Sequence, residues 1–181
     1  ARAPELLDGP RPRVLFISGG HGSGKSALVA GLARLMREKG LKPAGILAEG
    51  LWENGVRSGF DLVDLSTGGK FPLCRRGAPS EVKAGEFGFF SEGLAAGLAA
   101  LSPERTSGSD AVFIDEVGFL ELEGGGWAPA LERLLRQSRV PLVVPVRDYL
   151  LPRVLGKWGL ASSGIFDPDS APETLLRSLP R

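Results

Sequence analysis

Gly19-Gly20-His21-Gly22-Ser23-Gly24-Lys25-Ser26 decides how the rest of the chain is read. It has the spacing G-x-x-x-x-G-K-[ST], a phosphate-binding loop. Val14-Leu15-Phe16-Ile17, upstream, is a short apolar run rich in strand formers, with Pro12 just before it. From Lys25-Ser26-Ala27 onward the chain reads as helix. Strand, Gly-rich turn and helix in that order let backbone N–H groups converge on an anion. Glycines at 19, 20, 22 and 24 allow positive φ and close approach to phosphate oxygens. Gly19 to Ala27 is therefore the expected phosphate cradle. Lys25 reaches the β- and γ-phosphates and the Ser26 hydroxyl ligates Mg²⁺.

Helix periodicity supports this frame. Leu28, Val29, Leu32, Leu35 and Met36 form one apolar face over about residues 25–39, and Gly40 is the expected stop. Ala44–Ala48 reads as a strand ending at Glu49. Asn54-Gly55 signals a hairpin into a strand over 58–65, and Ser66-Thr67-Gly68-Gly69 a second turn into Lys70–Arg75. Pro72 makes that strand an edge or an irregular one. Arg76–Gly88 reads as loop, Phe89–Leu101 as a helix carrying Gly93 and Gly97, and Ser102–Asp110 as a polar loop. Ala111–Ile114 and Val140–Val146 read as buried strands, with helices at 127–137, 150–158 and 171–179 and a last short strand at 163–167. The fold class is α/β: a mainly parallel sheet flanked by helices, with a short antiparallel insert. Residues 1–12 read as a tail or linker and 13–181 as one domain.

Composition bounds the chemistry. With 181 residues, 43% hydrophobic, and a net charge of +1, the chain suits a globular protein and gives no support for nucleic-acid or membrane-surface binding. One cysteine excludes an intrachain disulfide, and one histidine excludes a His-rich metal site. No apolar run reaches the roughly 20 residues a membrane span needs. The expectation is a cytoplasmic protein, monomeric or weakly oligomeric, with room for a protein partner. Beginning at Ala1, it reads as a trimmed or excised piece.

A second motif joins the first. Val112-Phe113-Ile114-Asp115-Glu116 is an apolar strand ending in acids. In open α/β sheets that end of the strand is where ligands bind. Asp115 is expected to hold Mg²⁺ beside Ser26, and Glu116 to polarise an attacking water. Both acids can serve one site only where the strand is ending, because neighbours on a strand point to opposite faces. Arg147 ends the next strand and is either a cis arginine on the γ-phosphate or a surface residue paired with Asp148. Glu49 is either a further acid at the site or a solvated turn residue. Arg75-Arg76 either reaches phosphates or forms a surface pair. His21 reads as exposed and Cys74 as a small core residue. Trp52, Trp127, Trp158 and Tyr149 read as packing, with one of them free to stack on a base. No N-K-x-D guanine motif is present.

The chain resembles the small nucleoside-triphosphatase family first described in thermophiles, whose human member is called cancer-related nucleoside-triphosphatase. The resemblance covers most of residues 13–147. It rests on the phosphate loop, on Ala44–Glu49, on Gly59–Leu65 followed by Thr67-Gly68, and above all on Asp115-Glu116-Val117-Gly118-Phe119-Leu120-Glu121-Leu122. It implies slow, Mg²⁺-dependent hydrolysis of several NTPs with little base selectivity. Lys25 and Ser26 match the family's loop, Asp115 and Glu116 its second motif, and Arg147 its arginine. The family's His-Arg-like pair stands here as Val146-Arg147, and the 76–88 loop does not align. Two other readings stay open: a kinase with a lid over 75–88, and a regulatory module using Phe119–Gly126 as a partner surface.

Overall fold

The computed structural model describes residues 11–161 and 164–179. Residues 1–10 of the expected tail, and Ser163 of the expected last strand, lie outside them. β1 (Val14–Gly19) enters the Gly-rich turn, and α1 (Lys25–Glu38) leaves it. Gly24 sits at the helix start with φ 95, a left-handed conformation that a Cβ would strain. Phe16 packs into the core on one face of the sheet, and Leu15 and Ile17 into the core on the other. Burial on both faces explains why β1 is apolar throughout rather than alternating.

β2 (Pro43–Glu53), β3 (Val56–Asp64) and β4 (Lys70–Arg76) form the expected antiparallel meander. Asn54 (φ 51) and Gly55 (φ 76) make its first turn, both left-handed as a tight hairpin requires. At Pro72 the β3–β4 register slips between Phe60 and Asp61, so the proline makes the strand irregular without making it an edge. β2 continues well past Glu49 because β3 pairs along its whole length. Glu49 lies opposite Asp61 and bonds Lys70 at 2.8 Å. It lies within the strand and does not end it.

The loop expected over 76–88 holds for residues 77–82, but Arg76 ends β4 and the rest of the span is a hairpin. β5 (Lys83–Ala84) and β6 (Phe87–Phe89) form a small hairpin, and β6 pairs with β4. These strands are too short to show periodicity, and the free edge of β4 organises them. α2 (Ser91–Ala100) follows. α3 (Pro103–Thr106) is a helical turn inside the expected polar loop, started by a proline whose fixed φ suits a first turn. β7 (Ala111–Ile114), α4 (Phe119–Leu122), α5 (Ala128–Gln137) and β8 (Leu142–Arg147) come next. α6 (Leu151–Trp158) has Pro152 in its first turn, and β9 (Ile165–Phe166) and α7 (Pro172–Ser178) close the chain.

One mixed sheet has the order β5-β6-β4-β3-β2-β7-β8-β1-β9. From β2 to β9 the neighbours are parallel, and from β2 to β5 they are antiparallel. The α/β architecture is as expected, and the antiparallel insert is larger because β5 and β6 extend it. α1 and α7 cover one face; α2, α5 and α6 cover the other. β8 lies between β1 and β7, so the phosphate loop, the acids after β7 and the end of β8 share one edge.

Candidate active site

Each strand ends at a chemically distinct group. Gly19, the last residue of β1, is in register with Arg147, the last of β8. On its other flank, a Cβ on Gly19 would stand 2.5 Å from Pro168. Half-buried Gly20 and exposed His21, Gly22, Ser23 and Gly24 form the turn, tied by Ser23 N–H donating to Gly20 O at 3.2 Å. Lys25 is buried, and its Nζ donates to Gly19 O (3.1 Å) and Gly20 O (2.8 Å). The ammonium thus folds back over the loop's own carbonyls. Ser26 and Ala27 are exposed in the first turn of α1.

The two acids occupy a short break between paired residues. Ile114 pairs with Ile46 of β2, and Val117 N–H already donates to Pro145 O of β8 at 3.1 Å. Between them, the side chains diverge. Asp115 turns toward β2, where its Oδ2 accepts Ala48 N–H at 3.0 Å. Only 3% of it is exposed. Burial is the main cause that pushes its carboxyl from 3.8 up to about 7; the Ala48 hydrogen bond opposes this, nearby Glu116 adds to it, and Lys25 opposes it. Glu116 turns toward β8 and stays half-exposed, its Oε1 3.5 Å from Arg147 Nε.

Arg147 therefore pairs with Glu116 and not with Asp148, which instead accepts the backbone N–H of Tyr149 at 2.8 Å. Arg147 Nη1 donates to the Tyr149 hydroxyl at 3.2 Å. Arg75 and Arg76 stay in the antiparallel half, paired with Asp61 and Glu86. Cys74 is buried and free. Trp127 and Trp158 are buried, whereas Trp52 and Tyr149 are exposed. Among the described residues no helix is long and apolar enough to cross a membrane.

Sequence reading named two neighbours of the edge without their contacts. Tyr149 had no motif to mark it beyond lying two residues after Arg147. Glu121 is buried and bonds Gly118 N–H at 2.8 Å and Trp127 N–H at 3.1 Å, closing the loop that follows the acids. Its spacing of three from Gly118, with its carboxylate reaching back to an N–H at the start of α4, is the signal that marks it.

The donors at this edge suit a hard divalent ion. Asp115 and Ser26 offer oxygen ligands, and a desolvated carboxylate is the group whose charged form gains most from a cation.

A family model described as NTPase matches residues 14–157. A nucleoside-triphosphatase THEP1 of Methanopyrus kandleri is 32% identical over 149 residues, 76% of this chain and 81% of the relative. Its counterpart in Saccharolobus solfataricus is 30% identical over 129 residues, 71% and 73% of the two chains. The crystal structure of THEP1 from Aquifex aeolicus superposes with a TM-score of 0.69 at 19% identity, over 93% of this chain and 99% of that one. The solution structure of a human cancer-related nucleoside triphosphatase gives 0.65 at 22% identity, over 92% and 95%. These two share the fold. The resemblance carried by the Asp115–Leu122 block is borne out. The matched span takes in Gly19 to Ala27, Asp115, Glu116 and Arg147, and the chain belongs to the NTPase family.

Proposed function

We propose that this protein hydrolyses nucleoside triphosphates to the diphosphate and phosphate, with Mg²⁺ and broad base tolerance, at the edge bounded by Gly19–Ala27, Asp115, Glu116 and Arg147. One observation carries the reading: the adjacent acids are divided, Asp115 buried beside the loop lysine and Glu116 half-open to solvent. A buried acid suits a cation, and a solvent-facing one suits water.

Backbone N–H groups of the turn hold the phosphates, and Lys25 leaves the Gly19 and Gly20 carbonyls to reach the β- and γ-oxygens. Ser26 and Asp115 would hold Mg²⁺, which would supply charge neutralisation to the phosphate oxygens. Glu116 accepts a hydrogen bond from the attacking water and aligns it for in-line displacement. Arg147 lies beside Glu116 and stabilises charge that develops on the transferred phosphoryl group. A kinase lid over 75–88 finds little support, because Arg75 and Arg76 are held in ion pairs with Asp61 and Glu86 and both ends of the segment are strand-paired.

The test is phosphate release from ATP, GTP, CTP and UTP with Mg²⁺, repeated with Lys25→Ala. Comparable turnover of all four is expected, with a loss of about 10²-fold or more in the variant. Retained activity in Lys25→Ala would remove the loop as the site.

A further inference from the structure

Arg147 is held in an unusual way for a group so close to the phosphate loop. It ends β8 in register with Gly19. Its Nε faces Glu116 at 3.5 Å, and its Nη1 donates to the Tyr149 hydroxyl at 3.2 Å. Among the described residues Nη2 has no hydrogen-bond partner. A guanidinium is a planar fork, so fixing two of its nitrogens sets the direction of the third.

Tyr149 is itself fixed. It lies in a single 3₁₀ turn, Asp148–Leu150, immediately after β8. Asp148 accepts its backbone N–H, and Leu150, next in sequence, is buried. Its ring rests against Phe119 of α4, with centroids 6.2 Å apart. α4 follows Asp115-Glu116 by only a few residues, so one contact joins the segment after the acids to the segment after the arginine. Both rings remain open to solvent, Tyr149 at 56% and Phe119 at 48%. Packing alone gives little reason to keep two large aromatic rings there.

We propose that Tyr149 is a positioning residue: its hydroxyl, with its ring backed by Phe119, holds Arg147 between Glu116 and the γ-phosphate so that the free guanidinium edge faces the phosphate. This rests on the hydrolytic reading above. Without the hydroxyl, the one remaining partner of the guanidinium among the described residues is the Glu116 carboxylate. The arginine then turns toward that carboxylate and engages the acid meant for water. A γ-phosphate pays out to Arg147 only in triphosphates, so the effect must distinguish triphosphate from diphosphate.

Tyr149→Phe keeps the ring and removes only the hydroxyl. The probes are the Mg²⁺ complex of adenosine β,γ-imidotriphosphate and MgADP, titrated by calorimetry, together with kcat for MgATP. The expected result is about a tenfold loss of affinity for the triphosphate analogue and a comparable fall in kcat. ADP affinity should stay within about twofold. Phe119→Leu, which weakens the ring's backing, should shift the same three quantities in the same direction by less. Equal loss for both nucleotides, or no change in either, overturns the proposal. If Lys25→Ala is inactive and Tyr149→Phe behaves as wild type, only the role of Tyr149 falls. If Lys25→Ala keeps its turnover, the hydrolytic reading falls and this role falls with it.

Discussion

Asp115 and Glu116 are neighbours of like chemistry with opposite surroundings, and the difference has measurable consequences. In the fold the Asp115 carboxyl keeps its proton up to about pH 7, whereas its ordinary value is 3.8. Between those values the folded state binds the extra proton. Stability of the Mg²⁺-free protein therefore falls as pH rises from about 4 to 7, the reverse of the usual ion-paired aspartate. Asp115→Asn keeps an oxygen for Ala48 N–H and removes the ionisation. By calorimetry at pH 8 without Mg²⁺ it should melt at least ~2 °C above wild type. Near pH 4 the two should melt together; a gap that persists there would assign the effect to packing. Glu116→Gln tests the other acid. Nucleotide affinity should survive while turnover drops by about 10²-fold or more, and undiminished phosphate release would take Glu116 out of the water-orienting role. The chemical identity of both acids was legible at the end of an apolar run. Their directions were not, because these come from Ala48 and Arg147, residues far away in sequence.

Among the elements, α2 shows how a weak helical sequence serves packing. Gly93 and Gly97 lower its helix propensity, and their spacing of four places them on one face. That face meets β4 and Trp127 directly. A Cβ on Gly93 would stand 2.3 Å from Pro72 O, and one on Gly97 2.3 Å from the Trp127 ring and 3.0 Å from Leu62. Gly97→Ala must therefore displace a buried tryptophan. Overpacking costs about 1–3 kcal/mol against a propensity gain near 1 kcal/mol. A net loss of roughly 1 kcal/mol, and no more than about 2, is expected in urea unfolding. Gly156 in α6 is the contrast, since a Cβ there meets nothing within 4 Å. Gly156→Ala should stabilise by about 0.5–1 kcal/mol, and a loss instead would mean that close contact, not propensity, governs α6 as well. The glycine spacing was readable in advance as permission for close approach, while the partners were not. The β5–β6 hairpin was less legible still. Strands of two and three residues carry no periodicity, and their order comes from pairing with β4.

Across the whole molecule, strand order brings separate motifs to one edge. With β8 between β1 and β7, three strand ends bring the phosphate loop, Arg147 and the two acids to one edge. The antiparallel half attaches to β2 and carries Glu49, Arg75 and Arg76 into ion pairs within itself. By itself the sequence determined the loop, the helix it feeds, the apolar strands and the acids that end β7. These are local: each is a few contiguous residues whose periodicity, glycine content or strand-end charge follows from backbone sterics and burial. Only the tertiary structure decided that Arg147 faces Glu116 rather than Asp148, that the Tyr149 hydroxyl accepts from Arg147, and that Lys83–Ala84 and Phe87–Phe89 join the sheet. Those are contacts between segments brought together by strand pairing, and the run of residues within a single strand does not encode which strand will lie beside it.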